Sequence, residues 1–215
     1  MNFPSIATAV GALFACSAAL ADPSPWTIRA GAANVKFSPD AVVSAGGSVV
    51  PGANVEASSN NTAVLEVGYD LTPDWRARLI IGVPPTTKLT GTGRLDGTGT
   101  LGEVKYGPAV LSLTYRLGNF GGIEPYVGAG INYTIVFKSK DGFIKNLDVN
   151  SAFGSALQVG FEVPLDGGWS VGLDARKIFV KTKANGTLPA FGGAAAHANV
   201  RLDPLVVSLT VGKRF

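Results

Sequence analysis

The sequence predicts an all-β protein, an eight-stranded antiparallel transmembrane β-barrel, on three observations. The chain has 28 glycines and only 15% charged residues among 215, yet no stretch stays apolar for the roughly 18 residues that a spanning helix needs. Eight segments alternate apolar and polar residues between clusters of Gly, Pro, Asn and Asp, the signature of strands and turns. The connections between them are alternately short and long, as in outer-membrane barrels with short periplasmic turns and long extracellular loops. Hydrocarbon leaves no water for the backbone, so an apolar chain without a spanning helix must close its sheet to pair every N–H and C=O.

Residues 1–21 read as an export signal: an Ala-rich apolar run from Ile6 to Leu20, then the small-residue site Ala19-Leu20-Ala21 before Asp22. No Lys or Arg precedes the run. The barrel is expected over residues 22–215. Cys16, the single cysteine, lies within the signal, so the region from Asp22 onward has no thiol and no disulfide. Leu13-Phe14-Ala15-Cys16 loosely resembles a lipid-acylation site, but Phe14 is large for that position. The net charge of +3 is too small and dispersed to argue for nucleic acid.

The first strand is expected from Trp26 to Phe37, with Trp26, Ile28, Ala30 and Ala32 toward lipid. Asn34 and Lys36 continue that side as polar residues, which suggests a bulge or the membrane edge. After a long loop, Ser38 to Asn61, the second strand runs from Thr62 to Leu71 with Leu65, Val67, Tyr69 and Leu71 outward. Thr72-Pro73-Asp74 turns the chain into the third, Trp75 to Val83, which presents Trp75, Ala77, Leu79 and Ile81. A second long loop, Pro84 to Gly102, leads to the fourth strand, Glu103 to Leu117, with Leu111, Leu113, Tyr115 and Leu117 outward.

The short connection Gly118 to Ile123 precedes the fifth strand, Glu124 to Phe137, whose lipid side is Val127, Ala129, Ile131 and Tyr133. A third long loop spans Lys138 to Asn150. The sixth strand, Ser151 to Val163, offers Leu157, Val159, Phe161 and Val163, and Pro164 to Gly168 is again short. The seventh, Trp169 to Val180, offers Trp169, Val171, Leu173 and Ala175; the last long loop is Lys181 to Asp203. The eighth, Pro204 to Phe215, offers Leu205, Val207, Leu209 and Val211. None of these outward residues is charged.

The aromatic residues give an independent check, because amphipathic rings favour the two membrane interfaces. Trp26, Tyr69, Trp75, Tyr115, Trp169 and Phe215 fall at periplasmic strand ends, while Tyr133, Phe137, Phe153 and Phe179 fall near extracellular ends. A soluble barrel of lipocalin type has a polar outside and no reason for this sorting.

The inward positions divide by depth. The periplasmic half holds Arg29, Arg76, Arg78, Arg116, Arg176 and Arg214 with Glu66, Asp70, Glu124, Glu162 and Asp174. In a narrow, partly dry barrel these charges must pair, and guanidinium suits bidentate pairing with carboxylate, so a cross-linked ionic plug is expected. Toward the extracellular end the inward residues turn apolar: Val64, Ile80, Val110, Val136, Ile178, Val180 and Val206, with Pro108 and Tyr126 nearby and Val35 and Phe37 if the first strand keeps phase. This apolar cup is the expected ligand-binding region. Pro108 cannot donate to a ladder, and with Pro125, Gly107, Gly128, Gly130 and Gly154 it suggests a weakened wall through which an apolar solute passes sideways. The alternative is that the glycines serve only tight curvature.

No catalytic constellation, cofactor motif or metal-ligand spacing is present. The only histidine, His197, lies in a Gly/Ala-rich stretch read as loop, and Gly91-Thr92-Gly93 and Gly97-Thr98-Gly99 open no helix. Lys36, Lys88, Lys138, Lys140, Lys145, Lys177, Lys181 and Lys183 gather at the extracellular end, where they suit lipopolysaccharide phosphates or simply a solvated surface.

Several segments, in order, resemble the OmpW/AlkL family of small outer-membrane proteins: Trp26-Thr27-Ile28-Arg29-Ala30-Gly31, Gly107-Pro108-Ala109-Val110-Leu111-Ser112-Leu113-Thr114-Tyr115, Pro125-Tyr126-Val127-Gly128-Ala129-Gly130-Ile131-Asn132-Tyr133-Thr134, Phe153-Gly154-Ser155-Ala156-Leu157-Gln158-Val159-Gly160 and a terminal Phe215. Lys213 departs from the aromatic or apolar residue more common there. The resemblance implies an outer-membrane barrel that gives small hydrophobic molecules a route inward, with lateral release through the wall and assembly signalled by the strand ending at Phe215. It also implies receptor roles for some members, so a closed structural or receptor barrel acting through its loops stands as the alternative.

Overall fold

The computed structural model describes residues 24–189 and 192–215; the expected export signal lies outside them. The described residues form fourteen strands. In chain order these are β1 (Trp26–Lys36), β2 (Asp40–Ala45), β3 (Ser48–Val49), β4 (Ala53–Ala57), β5 (Asn60–Asp70), β6 (Trp75–Gly82) and β7 (Thr86–Gly93). They continue as β8 (Thr100–Arg116), β9 (Glu124–Asp141), β10 (Lys145–Val149), β11 (Ala152–Pro164), β12 (Trp169–Leu188), β13 (Ala194–Arg201) and β14 (Leu205–Arg214).

Eight of them close a ring, β1-β5-β6-β8-β9-β11-β12-β14 and back to β1, and every neighbour is antiparallel. Closure leaves no sheet edge in the bilayer. The lumen and lipid faces alternate: Ser208 is 2% exposed and its neighbour Leu209 58%, Asn132 0% and Ile131 60%. Trp26 meets Tyr69 edge-on at 4.7 Å and Trp75 lies 5.0 Å from Tyr115 at one rim, while Tyr133 and Phe153 lie 4.3 Å apart near the other.

The three short connections are turns. Thr72 Oγ1 accepts from the backbone N–H groups of Asp74 and Trp75, and Asn119 Oδ1 from Gly122. The third is a single 3-10 turn, Asp166–Gly168, which needs the left-handed conformations of Gly167 and Gly168.

Two expectations need correction. The first strand carries no bulge: its ladders run unbroken from Thr27↔Arg214 to Lys36↔Leu205 and from Trp26↔Tyr69 to Val35↔Asn60. Asn34 and Lys36 are exposed on the outer side in unbroken phase, and Asn34 Nδ2 donates to Asn61 Oδ1 at 2.7 Å. The four long connections are not simply loops either. They contain β2, β3, β4, β7, β10 and β13: β7 pairs with the upper end of β8, β10 and β13 pair with that of β12, and β2, β3 and β4 join through β13, β2 and β7, so that the wall continues beyond the spanning strands. Their small, weakly apolar residues, such as Ala194–Ala198, have poor strand propensity alone and take strand form because neighbouring strands supply partners. His197 is therefore on β13, with Nδ1 2.9 Å from Asn185 Oδ1 on β12. At the β9–β10 hairpin, Asp141 accepts from the N–H groups of Leu147 and Asn146, both at 3.0 Å, and these donors hold its carboxyl below the usual range.

An arginine at the mid-band outward position Leu209 should cost about 2–4 kcal/mol of folding free energy in lipid. Urea unfolding of Leu209→Arg in phospholipid vesicles measures it; a cost near zero would mean that this face does not meet acyl chains.

Candidate functional site

The lumen is stacked in layers. At the periplasmic end, Glu162 on β11 takes Arg29 Nη2 from β1 at 2.7 Å and, from β6, Arg76 Nη1 at 3.0 Å and Arg78 Nη2 at 2.5 Å. Glu66 joins Arg78 at 2.9 Å to Arg176 at 2.6 Å, and Arg176 reaches Asp174 at 3.3 Å. Asp70 holds Arg76 and Arg214, the latter at 3.0 Å, and Arg116 pairs with Glu124 at 3.3 Å nearer the rim. All eleven charged residues singled out in the sequence thus take part in ion pairs. Side-chain hydroxyls complete the layer: Arg29 donates to Ser170 at 2.8 Å and Arg78 to Thr114 at 3.1 Å. Below it the mouth holds a cleft of about 10 Å³. A solute crossing this layer would have to part several guanidinium–carboxylate pairs, at several kcal/mol for each ion left alone.

Tyr126 belongs to this layer and not to the apolar cup. Its hydroxyl donates to Asp174 Oδ2 at 2.8 Å, and the Arg78 guanidinium lies 4.1 Å from its ring centre. It sits there because β9 starts deep in the barrel, opposite the arginines of β6. A polar rung missed in the sequence lies beside it: Gln158 Nε2 donates to Asp174 Oδ2 and Ser112 Oγ to Gln158 Oε1, each at 2.7 Å, and buried Asn132 donates to the Ala109 carbonyl at 3.1 Å. Strand phase already pointed these three inward; being uncharged, they drew no attention.

Above the ionic layer, Val64, Ile80, Val110, Ile178, Val180 and Val206 pack together with Ala33, Val35 and Ala156 into a closed apolar stratum. The larger space is higher. An apolar cavity of about 100 Å³ is lined by Pro108, Val136, Ile178, Val180 and Val206 among the expected residues, by Val104 from the expected fourth strand, and by Val55, Leu89, Leu101, Leu147 and Val200 from segments read as loops. Phe37, Tyr106 and Pro39 complete its side near β1. Val64, Ile80 and Val110 do not line it; they border a side pocket of about 30 Å³ beneath, with Thr62, Ile81, Gly82 and Pro108. The cup was placed too low because its upper wall is made by the strands hidden in the long connections.

The wall is uneven. β6 pairs with β8 up to Ile81↔Ala109, and β7 resumes pairing only at Thr86↔Lys105. Pro108 keeps its place opposite Thr134 on β9, where pairing continues through one register shift between Lys105 and Tyr106, whereas on the β6 side it lapses. Pro125 is opposite Phe161 near the periplasmic rim, far from the cavity. Gly130 and Gly154 mark tight wall, since a Cβ at either would collide with the backbone of the adjacent strand, at Leu111 and Phe179 respectively.

The sequence profile of the OmpW family matches residues 25–215. The Pseudomonas aeruginosa protein called dibenzothiophene metabolism operon protein PahQ is 44% identical over 195 residues, 91% of this chain and 90% of its own length. Outer membrane protein AlkL of Ectopseudomonas oleovorans is 32% identical over 164 residues, 76% of this chain and 70% of its own. The solid-state NMR structure of AlkL in lipid bilayers superposes with a TM-score of 0.70 at 28% identity, covering 93% of this chain and 95% of that one. The crystal structure of OprG from Pseudomonas aeruginosa shares the fold with a TM-score of 0.83 at 24% identity, over 90% and 97% of the two chains.

Glu162→Gln leaves three arginines short of a counter-charge and should destabilise the barrel by about 3–5 kcal/mol. Lys140→Gln, which removes an exposed pair with Glu103, should cost under about 1 kcal/mol. Vesicle-based urea titrations of the two variants compare them; equal costs would deny the ionic layer its structural weight.

Proposed function

The chain belongs to the OmpW family of outer-membrane proteins, and from that premise we propose that it lets small hydrophobic compounds cross the outer membrane, entering the apolar cavity from outside and leaving sideways into lipid. The observation that carries this reading is a blind cavity: apolar on its walls and closed below by ion pairs. Its size is of the order of the roughly 150 Å³ apolar cavity that takes up benzene. Each CH₂ moved out of water contributes about 0.8 kcal/mol, so a ring or short chain is held weakly enough to be released. The name of the PahQ relative ties that protein to metabolism of dibenzothiophene, a flat aromatic, which supports an aromatic solute here.

In this reading the contacts are Pro108, Val136, Ile178, Val180 and Val206 in the cavity and Val64, Ile80 and Val110 along the way out, while Tyr126 and the charged residues seal the axis. We also infer that residues 1–21 are an export signal and that the strand ending at Phe215 is what barrel assembly machinery recognises. Phe215 N–H donates to the Trp26 carbonyl at 3.3 Å, so this terminus completes the ring.

Lipopolysaccharide is the second partner. Lys105 lies directly opposite Lys138, and Lys181 opposite Arg201, on the outer wall just beyond the extracellular aromatic ring. Like charges facing across a ladder are unfavourable unless an anion joins them, and outer-leaflet lipid phosphates are the anions at that height. A closed structural or receptor barrel would use only this surface and its loops.

Two measurements test these readings. Cells expressing the barrel should take up an apolar fluorophore at least tenfold faster than cells without it, and Val180→Asp should remove that gain while the barrel still shows heat-modifiable migration on a gel. Undiminished uptake by Val180→Asp would rule out the cavity as the route, and sensitivity to phage or bacteriocin without any uptake would favour the receptor reading. Lipid A binding to the purified barrel should weaken with salt and on combining Lys138→Gln with Lys181→Gln; binding indifferent to both would remove the phosphate contact.

A further inference from the structure

We propose that Tyr106 governs the sideways step: with Asn60 and Phe37 it forms a side-chain latch over the stretch of wall where backbone pairing lapses. The proposal rests on the reading that solute leaves laterally.

Between Ile81↔Ala109 and Thr86↔Lys105 the wall is joined by a single backbone bond, from Tyr106 N–H to the Pro85 carbonyl at 3.1 Å. Pro84, Pro85 and Pro108 have no N–H to offer, so the gap cannot close by a shift of register. On the other flank, the β5–β6 ladder reaches Val64↔Gly82, and Val83 N–H then donates to the Ala63 carbonyl at 2.9 Å. Above that point no described hydrogen bond joins Asn60 or Asn61 to Pro84 or Pro85.

Side chains span what the backbone leaves open. The Tyr106 hydroxyl, carried on β8, accepts from the Asn60 carboxamide at the start of β5 at 3.5 Å, and its ring meets Phe37 edge-on at 5.6 Å. Asn60 is itself anchored by donating to the Ser58 carbonyl at 3.0 Å. The bond to Tyr106 is at the outer limit for a hydrogen bond, and the hydroxyl's own proton has no acceptor among the described residues. A strut of this kind yields easily, as a gate must.

Its position fits the task. Tyr106 and Phe37 line the upper cavity but not the side pocket, which begins below them at Pro108 and Thr62. The two spaces share Val35, Pro108, Ile178 and Val206. The side pocket includes Gly82 and also Ile81, an outward residue 47% exposed, and so reaches the lipid side of the wall. A flat aromatic solute can displace Phe37 by stacking on Tyr106 and follow this path downward and out.

The test uses the full chain in Gram-negative cells and the uptake rate of N-phenyl-1-naphthylamine. Tyr106→Phe and Asn60→Ala each remove the latch bond and should speed uptake roughly two- to tenfold, the range expected for one hydrogen bond. A double variant, Asn60→Cys with Tyr106→Cys, treated with a short cleavable bis-thiol reagent should slow uptake at least tenfold, and reduction should restore it. Heat-modifiable migration confirms that each variant is a folded barrel. If wild-type cells take up the probe while the cross-linked barrel is as fast as its reduced form, the latch is overturned and lateral transport is not. If wild-type cells are no faster than cells without the barrel, transport itself falls, and the latch with it.

Discussion

Three guanidinium groups converge on one carboxylate, Glu162, at the centre of a lumen that holds almost no free space at that depth. That contact could not survive in isolation, because ions taken from water cost several kcal/mol each unless every one finds a partner. Arg29, Arg76 and Arg78 are therefore bound in turn to Ser170, Asp70, Glu66 and Thr114, and the chain of pairs continues through Arg176 to Asp174, Tyr126 and Gln158. The members come from every strand of the ring. One connected network thus ties the wall together from inside and lays ion pairs across the barrel axis.

What lies above follows from the same economy of pairing. A short barrel would end at the aromatic ring and leave its apolar stratum open to water. Instead the long connections fold back as strands, pair with the upper parts of β8 and β12, and raise a second storey whose inward residues are Val55, Leu101, Val104 and Val200. The apolar space is enclosed by backbone that is still hydrogen-bonded, which gives it a fixed shape. The packed stratum of Val64, Ile80 and Val110 lies between that space and the ionic layer, with Arg176 at its lower edge.

The wall has a weak place where three prolines withhold donors from the ladder, and side chains cover it. Backbone pairing resists opening because many bonds must break together, whereas Asn60 and Tyr106 contribute one long bond and one ring contact. The barrel can therefore be rigid around most of its circumference and yielding at one height on one side. Gly130 and Gly154, on neighbouring strands, allow close approach and add no such freedom.

Alternation along each strand is a local property with a period of two residues, and the sequence carries it openly. It determined the eight spanning strands, which residues meet lipid, the aromatic rims, and the inward direction of Arg29, Glu66, Arg78 and Glu162. It could not say which of those charges would meet, nor that Tyr126 would stand among them, because partners across a lumen depend on the stagger accumulated strand by strand around the ring. The strands inside the long connections were hidden for a related reason: Ala41, Ala53 and Ala196 are too small to announce a buried face, and only paired neighbours make them one. The height of the cavity, the side on which pairing lapses and the reach of Tyr106 to Asn60 were likewise decided by tertiary structure, since each joins residues that are distant in the chain and adjacent only once the sheet has closed.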